Sequence, residues 1–179
     1  MGREIYRGRI VHLSTEEVRL PNGKALEMEL VRHPGASAVV PLREDGRVVL
    51  IHQYRFATGG YLYEIPAGKL SPGEEPERCA ERELEEEAGL RAARLTPLLT
   101  IFTSPGFCDE RIHIFLGEGL SPCPQNLGED EVLDVLEMPL EEAVGKIMDG
   151  TIQDAKSVAG LMAAYQYLQR RSGVRAVDI

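Results

Sequence analysis

Apolar and polar positions divide this chain into strand-like runs first and helical periods later. Tyr6–Leu13 and Glu17–Leu20 read as short strands around a turn at Ser14-Thr15. Leu20-Pro-Asn-Gly-Lys24 is a hairpin signal, and Ala25–Arg32 is the returning strand. His33-Pro34-Gly35 breaks the pattern and marks a boundary. Ala36–Leu42 and Arg47–Gln53 are β-rich runs joined by a second hairpin signal at Arg43–Gly46. Tyr61–Ile65 is a shorter strand running into Pro66-Ala67-Gly68. Beyond it, Leu95–Thr103 and Arg111–Glu118 read as strands, Ser121–Asp130 as a polar loop, and Val132–Glu137 as a last short strand. Leu140–Met148 and Ala155–Gln169 are helical: Val158, Leu161, Met162, Tyr165 and Leu168 share one face.

Strands and helices are interspersed without a regular βαβ repeat, so the expectation is an α+β fold, a mixed sheet with helices on its faces. Residues 1–35 form a small antiparallel β arm, 36–170 the main domain and 171–179 a tail. An arm of that size cannot bury a core alone, so it packs on the main domain or on a second subunit.

One further helix carries a charge problem. From Glu74 to Glu87 the chain holds eight glutamates and two arginines, in a protein whose net charge is −9. Pro76 suits a first helical position and Gly89 a C-terminal cap. Ala80, Leu84 and Ala88 form a narrow apolar edge. Glu83, Glu86 and Glu87 share another side, where like charges destabilise by ~0.2–0.5 kcal/mol per pair. A solvated acidic face is the bland explanation. A site for a hard divalent cation, which prefers carboxylate oxygens, is the functional one.

Spacing decides between them. Gly68 is followed by five residues and Glu74, then by seven residues and Arg82-Glu83-Leu84-Glu85-Glu86-Glu87-Ala88-Gly89-Leu90. This resembles the Nudix box at every fixed position. The resemblance implies an α/β/α sandwich with a mixed sheet, and hydrolysis of a nucleoside diphosphate linked to another group. It implies Mg²⁺, with Mn²⁺ as a substitute, held by Glu83 and Glu87 with Glu86 assisting and the Ala67 carbonyl as a further ligand. Gly68 would permit close backbone approach. Arg82 would orient the glutamates, and Glu74 would tie the loop to the helix.

Further stretches resemble the ADP-ribose pyrophosphatase branch of that family: Ser104-Pro105-Gly106 with Phe107–Glu110, Arg32–Val40, Gln53-Tyr54-Arg55, Glu64–Gly68 and Asp154–Ser157. They imply Arg55 on the diphosphate, where a guanidinium fork fits phosphate oxygens, with Arg32 a second candidate. They also imply Glu64 at the adenine or terminal ribose, Tyr6 stacked on the adenine, and Pro105 and Gly106 in the substrate loop. The catalytic base resembles a loop glutamate before the last strand, Glu131 or Glu129. The expected reaction converts ADP-ribose to AMP and ribose 5-phosphate. Another nucleoside diphosphate sugar, such as ADP-glucose or GDP-mannose, a dinucleotide, or a non-catalytic nucleotide-binding module are the alternatives.

The remaining composition narrows the setting. A net charge of −9 disfavours a nucleic-acid or membrane-surface partner. No apolar run approaches the ~20 residues of a membrane span. Cys79, Cys108 and Cys123 are scattered and match no metal or disulfide pattern, and no signal-peptide core follows Met1; both point to the cytoplasm. The resemblance implies a homodimer that exchanges its arms.

Overall fold

The computed structural model describes residues 2–129 and 131–173. Three strands open the chain: β1 (Arg3–Arg7), β2 (His12–Arg19) and β3 (Ala25–Arg32). They form a separate antiparallel sheet with β2 in the middle. The first turn therefore lies at residues 8–11, closed by Gly8 N–H to the Val11 carbonyl at 2.8 Å, and not at Ser14-Thr15. As part of the central strand, Ser14 and Thr15 have backbone partners on both sides, which overrides their local turn preference.

The body follows with β4 (Ala36–Pro41), β5 (Arg47–Arg55), β6 (Gly60–Glu64), β7 (Ala67–Lys69), helix α1 (Pro76–Ala88), β8 (Leu90–Phe102), β9 (Arg111–Pro122), β10 (Leu133–Pro139), α2 (Leu140–Met148) and α3 (Ala155–Arg171). One sheet runs β7-β4-β9-β8 and another β10-β5-β6. β4 and β9 pair in parallel and their other neighbours are antiparallel, so the sheet is mixed. Just past Pro66, Ala67–Lys69 forms a further short strand that pairs with Ala36–Ala38. Of the C-terminal tail, residues 174–179 lie outside the described residues.

The period of two along the strands builds two cores. Ala38, Val40, Val48, Leu50, Ile112, Ile114 and Leu116 point to one face, where Leu140, Ala143, Leu161 and Ala164 of α2 and α3 meet them. Val39, Val49 and Phe115 point to the other, where Ala80 and Leu84 of α1 pack. Strands buried on both faces read as continuous apolar runs, as Ala36–Leu42 does. The result is an α/β/α sandwich. Among the described residues no helix is long and apolar enough to cross a membrane.

Candidate active site

Helix α1 starts with Pro76 at its first position and ends at Gly89, whose φ of 63° is the left-handed cap that glycine takes without a Cβ penalty. Leu84 is fully buried, a contribution of ~1.5–3 kcal/mol that fixes the rotation of the helix. With Leu84 inward, the flanking Glu83 and Glu87 are drawn under cover, at 7% and 2% exposure. Glu86 stays half-buried.

These acids are held from several sides. Glu87 Oε2 accepts the Ala67 N–H at 2.8 Å, and the Glu87 carbonyl accepts Gln125 Nε2. Arg82 is the hub of the rest. Its Nη1 donates to Glu83 at 2.6 Å and to Glu86 at 2.9 Å, and its Nε and Nη2 grip Glu74 at 2.9 and 3.1 Å. Glu74 also accepts the Ser71 N–H, which ties the loop to the helix. The carboxylate of Glu83 lies over Gly68, where any Cβ would collide with it.

Burial sets the protonation of the buried pair. It pushes Glu87 up to about 8, and pushes Glu83 above its ordinary value against the pull of Arg82. The negative field of Glu131 adds to both upward shifts. Glu131 is half-buried and its carboxylate accepts the Gly128 N–H at 2.7 Å, whereas Glu129 is exposed. The loop is itself fastened to the end of α1 by Asn126 N–H to the Glu86 carbonyl and Cys123 N–H to the Gly89 carbonyl.

Arg55 and Glu64 form a two-pronged ion pair, Nε to Oε1 at 2.7 Å and Nη2 to Oε2 at 2.8 Å. Glu87 contributes to the field on Arg55, so this pair adjoins the acidic helix. Glu64 is buried and also paired to Lys156, whose Nζ reaches Asp154 at 2.9 Å. Lys156 and Asp154 received no role from the sequence, although the stretch containing them was singled out. A lysine two residues after a helix N-cap acid is ordinary on a surface; its 9% exposure is what distinguishes it.

Other predicted residues gather elsewhere. Arg32 bridges Glu16 at 2.6 Å and Asp109 at 2.9 Å, latching the arm to the loop that contains Pro105 and Gly106. Val31 N–H to the Phe107 carbonyl at 2.7 Å reinforces that latch. Tyr6 stands exposed on β1 rather than in a core.

The donor set suits a hard divalent cation. Glu83, Glu86 and Glu87 offer oxygen alone, and burial together with the charges of Glu83 and Glu131 pushes Glu87 up more than the Ala67 amide and Lys156 offset. As they stand, Arg82 engages Glu83 and Glu86, and among the described residues no three acidic, histidine or cysteine groups converge as a finished cage.

Comparison with known proteins agrees with this geometry. The NUDIX domain family matches residues 31–161. ADP-ribose pyrophosphatase of Bacillus subtilis (strain 168) is 43% identical over 175 residues, 97% of this chain and 92% of that protein. Methanol dehydrogenase activator of Bacillus methanolicus is 42% identical over 174 residues, 96% of this chain and 92% of that protein. The solved structure of an ADP compounds hydrolase superposes with a TM-score of 0.83 at 24% identity, covering 98% of this chain and 95% of that one, a likeness of fold.

Proposed function

This chain belongs to the NUDIX family and is a Nudix hydrolase, and from that premise we propose that it hydrolyses the pyrophosphate bond of ADP-ribose, releasing AMP and ribose 5-phosphate. One observation carries the chemistry: Arg55 grips Glu64 and, three residues on, the Ala67 N–H holds Glu87, so the guanidinium and the buried carboxylates of α1 meet the same short stretch of chain. A cation site and a diphosphate-binding group are thus side by side. The ADP-ribose pyrophosphatase name of the Bacillus subtilis relative supports the choice of substrate.

Glu83 and Glu87, with Glu86 and the Ala67 carbonyl, would hold Mg²⁺, or Mn²⁺ in its place. A bound divalent cation neutralises charge on the diphosphate oxygens and acidifies the attacking water. Arg55 binds the diphosphate through its guanidinium fork. Arg82 keeps Glu83 and Glu86 in orientation through its grip on Glu74. Glu131 is the proposed base, ahead of Glu129, because its field reaches both buried glutamates. It takes the proton of the attacking water as the new phosphorus–oxygen bond forms and the bridging bond breaks. Pro105 and Gly106 shape the substrate loop. Arg32 and Tyr6 belong to the substrate side only if the arm covers the nucleotide.

The same reading gives a cytoplasmic homodimer in which residues 1–35 are exchanged and 36–170 form the hydrolase body. Three free thiols support a reducing compartment. Exposed Ile5, Tyr6, Ile10 and Val11 on the arm support a partner surface. Light scattering at micromolar concentration tests the dimer, and a monomer would refute it.

The test of the reaction is AMP release from ADP-ribose with Mg²⁺, without it, and in the Glu83→Gln/Glu87→Gln double variant. ADP-glucose and GDP-mannose are run at the same concentration. Metal-dependent release, highest with ADP-ribose and lost in the variant, is expected. A higher kcat/KM for another nucleotide sugar would overturn the substrate while leaving the chemistry standing.

A further inference from the structure

Two cations meet on one buried carboxylate, and they are not equivalent. Glu64 is 1% exposed. Arg55 reaches it from the open side, with its own side chain 41% exposed. Lys156 reaches it from within, its Nζ on Glu64 Oε2 and on Asp154 Oδ2. Lys156 is also fixed from behind. Asp154 caps α3 by accepting the Ser157 N–H at 3.0 Å, and Ser157 Oγ accepts the N–H of Ile65, the residue after Glu64, at 2.8 Å. The cap of α3 and the end of β6 thus form one rigid corner with Lys156 inside it.

This asymmetry bears on how Arg55 reaches a substrate. The Nε–Nη2 edge of its fork is engaged on Glu64, with one donor on each carboxylate oxygen. To turn that same two-pronged edge to a diphosphate it must leave, and a buried carboxylate stripped of its only cation is costly. Here Glu64 keeps a second one. The surplus charge then falls on Asp154, which rests on the N-terminal amides of α3.

We propose that Lys156 is a positioning residue: it holds Glu64 when Arg55 exchanges that carboxylate for the diphosphate of the substrate. Glu64 is accordingly a parking site for Arg55, which is kept extended and oriented until substrate arrives. This rests on the reading of Arg55 as the diphosphate contact and extends it to a residue that touches no substrate.

The test is steady-state kinetics on ADP-ribose with saturating Mg²⁺, for variants first shown to melt cooperatively. Arg55→Ala alone is expected to raise KM by roughly tenfold or more with a smaller change in kcat. Lys156→Met leaves Arg55 as the sole cation of Glu64, so Arg55 is retained and KM rises by a similar factor. Lys156→Arg recovers part of that loss. Adding Glu64→Gln to Lys156→Met removes the buried charge and brings KM several-fold below that of Arg55→Ala, though not to wild type, since Glu64 is itself a candidate substrate contact. That double variant is neutral at both positions, so it tests the exchange even where Lys156→Met alone does not fold.

An Arg55→Ala variant with unchanged KM would overturn the diphosphate reading and the exchange together. A costly Arg55→Ala beside an unaffected Lys156→Met would overturn the exchange alone. So would a folded Glu64→Gln/Lys156→Met variant with a KM as high as that of Arg55→Ala, which is what a purely structural lysine predicts.

Discussion

The backbone N–H of Ala67 donates to Glu87 Oε2 at 2.8 Å, so the last turn of the acidic helix is registered directly on the strand that precedes the box loop. That bond survives replacement of the acid by its amide, because a glutamine oxygen accepts equally well. Charge can therefore be removed from the site while its geometry is kept.

Glu87→Gln should accordingly leave the metal-free protein as stable as wild type or more so, since burial already pushes the carboxyl up to about 8. What it should lose is stabilisation by Mg²⁺. In wild type, Mg²⁺ at a hundredfold excess over its Kd adds about 2.7 kcal/mol. Calorimetry with and without Mg²⁺ reads both effects, and a variant whose Tm still climbs with Mg²⁺ would remove Glu87 from the ligand set.

Gly68→Ala addresses the opposite side of the site. Its Cβ would strike the Glu83 carboxylate and displace it. A fall in kcat/KM of roughly 10–100-fold is expected, with far-UV circular dichroism unchanged. Undiminished activity would show that the position of Glu83 over Gly68 is immaterial.

Acid stability should depend on Glu74. The Arg82 hydrogen bond, joined by the Ser71 N–H, holds this carboxyl at about 2 against an ordinary 4.5. A carboxyl lowered by folding stabilises above its unfolded value and loses that contribution as pH falls through its folded value. The window thus runs from about 4.5 down to about 2. Solvent screening limits the effect to about 1 kcal/mol or less. Urea midpoints for Glu74→Gln should lie below wild type at pH 7 and converge with it toward pH 2; a gap independent of pH would rule out the ionic cause.

Leu84→Ala tests whether docking of α1 orients the glutamates. Leu84 is fully buried among Val39, Val49, Leu90 and Phe115. Truncation should cost about 2–5 kcal/mol in urea unfolding. It should also weaken Mg²⁺-dependent turnover, although no metal-facing group is changed. Intact turnover at lowered stability would separate the two roles.

How much of this was legible in the sequence depended on the distance over which each signal acts. Helix α1, its Pro76 start, its Gly89 stop and the Glu83–Glu86–Glu87 face were readable because period, caps and box spacing are local. The turn at residues 8–11 was not, because pairing on both sides of β2 decided it. Nor was the tie between Lys156 and Glu64, which lie 92 residues apart. Arg55 and Glu64 stood out separately, but the β5–β6 ladder sets Arg55 opposite Gly60 and Glu64 opposite Ile51, so it is the reach of the long Arg55 side chain along the hairpin that joins them. Glu131 ranked ahead of Glu129 from the sequence, but loop length could not separate two nearby loop acids; in the structure Glu131 is half-buried and Glu129 exposed.

The parallel pairing of β4 with β9 sets an order of events in time. Residues 36–41 must wait for residues 112–117 before either strand has this neighbour. Between them the chain encodes all of α1, whose contacts are local and fast to form. On a ribosome, the acidic helix is complete while half of its docking surface, Phe115 and Leu90, is still to be translated or placed. Its apolar edge at Ala80 and Leu84 therefore stands partly uncovered during synthesis, and the eight glutamates around it favour the solubility of that waiting segment.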